Sequence, residues 1–169
     1  RVGDSTNTAD LTFNGAVSIN GPINIYGGTV TLNAALATTA PTGDISISAS
    51  GLTGTGGISV ASGRGLTVTQ SGDSTYSGII SGASASFTKA GAGRLNLTNL
   101  NTYSGGTNVS AGTLGIYTNS AAGAGALTAS DGATLLFGRA VTEFANDITL
   151  TGVVSIDLDT SVDYLIVGG

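Results

Sequence analysis

Two Gly-Asp-Ser triplets, Gly3-Asp4-Ser5 and Gly72-Asp73-Ser74, give a serine the immediate neighbours of a nucleophile. A serine attacks only when a positioned base takes its proton, and that base is usually histidine. The 169 residues hold no His, so neither triplet finds its base among them, and both serines read as turn residues. Carboxylates are the next candidates. Asp157, Asp159 and Asp163 form the acidic cluster of the sequence, and Asp157 and Asp159 lie two apart, on one face of a strand. Such a pair could act as acid and base, or as oxygen ligands for a metal. The Gly-Gly-x-Gly-x-Asp setting of calcium-binding coils is missing around them. They therefore read first as solubilising charges and only as weak metal candidates. No catalytic residue and no cofactor is expected. Glu143, near Arg139, reads as half of a surface ion pair. Gly51 to Gly57 is glycine-rich, but no Lys follows and no helix opens, so it is not a phosphate loop. Asn96-Leu97-Thr98 and Asn108-Val109-Ser110 fit the glycosylation pattern, which arises easily in a chain rich in Asn, Ser and Thr.

The elements that position these residues follow from composition. Hydrophobic residues make up 40% and charged residues 9%, which is the reverse of a disordered chain. The 28 glycines follow no three-residue period, which excludes collagen. The net charge is −5, and Arg1, Arg64, Lys89, Arg94 and Arg139 are scattered. A nucleic-acid partner needs a clustered basic face, so none is expected. No apolar run reaches the length of a membrane-spanning helix. The lack of cysteine suits an export route that a premature disulfide would obstruct. The sequence opens at Arg1 without Met or an apolar signal, and is expected to be a segment of a larger or processed protein.

Apolar residues recur in pairs two apart: Leu11/Phe13, Val17/Ile19, Ile23/Ile25, Val30/Leu32, Ile45/Ile47, Ile58/Val60 and Leu66/Val68. Leu95/Leu97, Leu114/Ile116, Leu135/Phe137, Ile148/Leu150 and Val154/Ile156/Leu158 continue the series. Successive side chains on a strand face opposite ways, so each pair marks a strand with one buried face. Thr, Ser and Asn fill the alternate positions. Gly, Asn, Asp and Ser separate the pairs, as at Asn14-Gly15 and Asp131-Gly132. No helical period competes, so the chain is all-β.

Short strands in number also fit sandwiches and small barrels. A solenoid is preferred on three grounds. The strands are monotonous, aromatic residues are only 5%, and the chain repeats itself. Residues 74–78 return as 101–105, Gly63-Arg64 returns as Gly93-Arg94, and Gly112-Thr113-Leu114 returns near 132–135. These spacings give a coil of roughly 20–30 residues and about six to eight coils in one segment, 1–169. Neighbouring coils, of the same or another chain, are the expected partners. A stacked Thr/Ser/Asn face could hold glycans or ordered water, but the threonines show no strict repeat assignable to one face.

Residues 91–114, GAGRLNLTNLNTYSGGTNVSAGTL, resemble the passenger-associated repeat of bacterial autotransporters. The match runs through Gly91, Gly93, Leu95, Leu97, Thr98, Asn101 to Thr107, Val109, Gly112, Thr113 and Leu114, with Asn99 where the family usually has Gly. The likeness extends to residue 152, and 91–152 is its best stretch. It implies a right-handed parallel β-helix exported through a C-terminal barrel. In that setting Tyr103 covers a corner with its hydroxyl in solvent. Gly105 and Gly106 both take positive φ, Gly112 forms the next corner, and Val109 and Leu114 return to the stack. The implied function is structural and adhesive: a stalk at the bacterial cell surface or beyond it, meeting a host or matrix glycan or protein. The alternatives are a subunit of a self-assembling fibre and the non-catalytic part of an enzyme passenger.

Overall fold

The computed structural model describes residues 1–160. All regular structure among them is strand, and every paired strand is parallel to its neighbour. The first coil carries β1 (Leu11–Phe13), β2 (Val17–Ile19) and β3 (Ile23–Tyr26). The second carries β4 (Thr29–Leu32), β5 (Leu36–Thr38) and β6 (Ile45–Ala49). The third carries β7 (Gly51–Gly54), β8 (Ile58–Ser59) and β9 (Gly65–Gln70), and the fourth β10 (Ser74–Tyr76), β11 (Ile80–Ser81) and β12 (Ser86–Ala90). From the fifth coil only two strands remain in each turn. These are β13 (Arg94–Leu97) with β14 (Thr107–Val109), β15 (Thr113–Ile116) with β16 (Leu127–Ala129), and β17 (Thr134–Phe137) with β18 (Ile148–Leu150). β19 (Ser155–Leu158) opens an eighth.

Stacking these coils makes three sheets. The first runs β1-β4-β7-β10-β13-β15-β17-β19, the second β2-β5-β8-β11, and the third β3-β6-β9-β12-β14-β16-β18. Eight rungs in the first sheet are seven steps at the usual strand spacing, a solenoid about 34 Å long. The all-β solenoid and its coil number agree with the sequence reading.

The repeat length lies at the short end of the expected range. Leu11 stands against Val30, Thr29 against Gly51, and Thr113 against Thr134, so a coil takes 19 to 22 residues. The longer spacings in the sequence were chemical echoes rather than periods. Tyr76 lies on the first sheet against Leu97, whereas Tyr103 falls between β13 and β14. Gly65 sits on the third sheet and Arg94 on the first. What these echoes share is a corner device. Asp44 Oδ1 accepts from Gly65 N one coil above at 2.8 Å, and Arg64 stands beside the same carboxylate at 3.9 Å. Asp73 Oδ1 accepts from Arg94 N at 2.9 Å, with the Arg94 guanidinium at 3.4 Å. Asp10 and Asp131 serve Thr29 N and Val153 N in the same manner. Each carboxylate satisfies a backbone amide at or just before the start of a strand one coil above. The ion pairs themselves are half-exposed and worth little. Among the described residues no ion pair joins Arg139 to Glu143.

The interior is a set of columns. Ile45, Leu66, Phe87, Thr107 and Leu127 succeed one another in register, beside Ile47, Val68, Lys89, Val109 and Ala129. All are buried. Each fully buried aliphatic side chain contributes about 1.5–3 kcal/mol.

Candidate functional site at the fifth coil

The second sheet stops at β11, and Asn101 is the residue that ends it. Its Oδ1 accepts from Ile80 N at 2.7 Å, in the place of a strand carbonyl. Its Nδ2 donates to Ala121 O in the coil above at 2.6 Å. Nine residues separate β10 from β12 and nine separate β13 from β14, so the third side of the coil keeps its length and loses only its ladder. Above that point side-chain amides join a few remaining backbone bonds, such as Thr102 N to Ile80 O and Asn101 N to Ser120 O. Asn99 Nδ2 donates to Ser77 O, Asn119 Oδ1 accepts from Thr142 N, and Asn146 Nδ2 donates to Gly123 O and Gly125 O. Asn101→Ala leaves Ile80 N and Ala121 O buried without partners. Each orphaned group costs about 1–3 kcal/mol, so urea unfolding is expected to show a loss of about 2–5 kcal/mol. A loss below 1 kcal/mol in that melt would contradict this bridging role.

Tyr103 follows Asn101 into the interior. It is fully buried and packs against Phe87 with ring centres 6.0 Å apart. Its hydroxyl is not in solvent, contrary to the corner reading. Thr107 Oγ1 donates its single proton to Ala122 O at 2.9 Å. Tyr103 must therefore be the donor in its 2.5 Å bond to Thr107 Oγ1. The large ring lies against Gly123, where a Cβ would stand 2.6 Å from Cε2. Tyr76 is buried likewise, its hydroxyl bonded to Gly56 O. Burial pushes both phenols up.

The glycine doublet after Tyr103 answers two separate demands. Gly106 takes φ +99°, which side-chain-bearing residues rarely adopt. Gly105 keeps an ordinary backbone but lies so close to the coil below that a Cβ would stand 2.8 Å from the Ala85 carbonyl. Gly112 turns the next corner at φ +69°, and Val109 and Leu114 are buried.

Sequence reasoning missed Lys89. It is flanked in register by Val68 and Val109 and fully enclosed. Nζ donates to Ala90 O and Gly91 O at 2.9 Å and to Ala111 O one coil up at 3.3 Å. Three carbonyls consume its three protons. Burial lowers its pKa to about 8, partly opposed by Asp73. The alternation Phe87-Thr88-Lys89 was the available signal, because it puts position 89 on the inward face.

The residues proposed for chemistry do not converge. Ser5 lies in a turn, but Ser74 opens β10, where its Oγ accepts from Leu52 N. Asp157 lies on β19, and Asp159 just beyond it accepts from the Tyr117 hydroxyl at 3.0 Å. Asp163 lies outside the described residues. Among the described residues no three His, Cys, Asp or Glu side chains group as metal ligands. Asn96 is on β13, with its amide on Thr75, and Asn108 is exposed on β14.

A parallel β-solenoid, stitched by asparagine where its second sheet ends, is the class that this geometry defines. Residues 87–116, which span that ending, match the family model of the passenger-associated transport repeat, so the chain carries the repeat of autotransporter passengers. No curated protein and no solved structure matches the chain. No helix among the described residues is long and apolar enough to cross a membrane.

Proposed function

We propose that this chain is a length of stalk in a bacterial autotransporter passenger, surface-exposed or secreted, and that it projects and takes part in adhesion. The observation that carries this reading is the coincidence of the matched repeat, 87–116, with the coil where side-chain bridges take over from the second sheet. The polar corners, the apolar columns and the absence of a histidine fit a structural rather than a catalytic segment. An antibody to this segment, applied to outer-membrane and shed fractions, tests it. The expected species is a large polypeptide, of order 100 kDa, cleaved from intact cells by added protease and continuous with a membrane barrel.

One observation favours a second reading, a fibre subunit. Ile148, Leu150 and Ile156 occupy inward positions on β18 and β19 yet are half-exposed, so a further coil from the same or another chain fits over them. A small, barrel-free species confined to sheared filaments would replace the stalk reading with this one.

A further inference from the structure

Asparagine precedes glycine at Asn14-Gly15 and Asn20-Gly21, and both pairs lie at bends of the first coil. An asparagine carboxamide is an electrophile, and the backbone nitrogen of the next residue is the nucleophile nearest to it. A following glycine leaves the approach open, because it carries no Cβ.

Register puts Gly15, Ala34, Gly56 and Gly78 in one column at the corner after the first sheet. The upper glycines are demanded by packing. A Cβ on Gly56 would run into the Ala34 backbone, and one on Gly78 into the Gly56 carbonyl. Gly15 is different. Open space surrounds the place of its Cβ, and its φ is not positive. Neither packing nor backbone conformation accounts for a glycine there.

The same corner one rung up holds Asn33 and Ala34. Asn33 Nδ2 donates to Asn14 Oδ1 at 2.8 Å. Negative charge gathers on that oxygen when a nucleophile adds to Asn14 Cγ, so Asn33 already stands where an oxyanion needs a donor. Gly15 N holds no hydrogen bond among the described residues, and Asn14 and Gly15 are both exposed. At the other pair Gly21 is buried, and no hydrogen bond among the described residues polarises the Asn20 carboxamide.

We propose that Asn14 is a self-modification site, at which Gly15 N displaces the side-chain ammonia. The nitrogen loses its proton and bonds to Asn14 Cγ. The Cγ–Nδ2 bond breaks, and Nδ2 leaves with that proton as ammonia. Water then opens the cyclic imide at either carbonyl, giving aspartate or isoaspartate. Isoaspartate inserts a methylene into the main chain between β1 and β2, so the product offsets the two strands against the second coil. The extent of conversion records the age of the molecule.

Peptide mapping by mass spectrometry tests this on the full chain, incubated at 37 °C in mildly alkaline buffer. Asn14 is expected to convert before Asn20 and before every other asparagine, to both products. Asn33→Ala should slow the conversion about two- to tenfold, the worth of one hydrogen bond. Asn33→Asp keeps the shape but sets a charge against the oxyanion, and should slow it further. Gly15→Ala, for which there is room, should slow it most. Melting curves establish that each variant is folded. An Asn14 that stays intact, another asparagine converting first, or conversion in folded Asn33→Asp as fast as in the wild type overturns the proposal. None of these results touches the stalk reading, which stands or falls on fractionation.

Discussion

Leu114→Asp is expected to unfold most of the solenoid at 25 °C. Leu114 is fully buried between Leu95 and Leu135 in adjacent rungs. Removing the side chain alone costs about 2–5 kcal/mol, and the carboxylate adds the penalty of an unpaired charge in the interior. A domain of this kind holds only about 5–15 kcal/mol in reserve. Thr113→Asp, one residue away on the outward face, is expected to shift stability by less than about 1 kcal/mol. Urea unfolding followed by circular dichroism separates the two, and equal midpoints would refute the inward placement of Leu114. The same pair bears on export. If stacking of coils outside the cell opposes backsliding, an intact precursor with Leu114→Asp appears at the surface more slowly than one with Thr113→Asp.

The second large effect is a stability maximum on the alkaline side of neutrality. The pKa of Lys89 is lowered to about 8 in the fold from an ordinary 10.5. Below pH 8 both folded and unfolded chains carry this proton, and the fold bears the whole cost of enclosing the charge. Above pH 8 the folded chain sheds the proton while the unfolded chain keeps it, so stability rises with pH. Tyr76 and Tyr103 act oppositely. Burial raises them, so above their ordinary value of 10.0 the unfolded chain ionises first and stability falls. The net expectation is a gain of up to about 3 kcal/mol between pH 8 and 10, followed by a decline. Urea midpoints at pH 7, 9 and 11 measure it. In Lys89→Met the rise should vanish and the decline remain. A wild-type midpoint that is flat or falling from pH 7 to 9 would contradict the enclosed ammonium.

Strands were legible wherever both inward positions are large and aliphatic, as in Ile45/Ile47 or Leu66/Val68. They were illegible where the inward position is filled otherwise: by Lys89 in β12, by Thr107 in β14, by Gly54 in β7. In those rungs burial depends on hydrogen bonds or close backbone contact, which leave no apolar period. Coil length was blurred for a related reason. Corner chemistry such as Gly-Arg above an Asp recurs on different sheets, so matching motifs do not lie one coil apart. The repeat itself was readable residue by residue. Its division of labour was not, since Gly105 and Gly106 look alike in sequence and answer to different constraints. The outward row of the first sheet was hidden too, because only register brings Gly115, Leu136 and Asp157 into line.

The loss of the second sheet above β11 also decides where this molecule can grow. On the first and third sheets every rung but the terminal ones pairs with two neighbours, so an inserted loop there would break ladders above and below. On the third side of the upper coils, residues 98–106, 117–126 and 138–147 are tied only through a few asparagine and backbone contacts. Extra chain can leave and return between those ties with the rungs on either side still in register. That flank is the seam at which new binding modules can be added without rebuilding the column that holds them up.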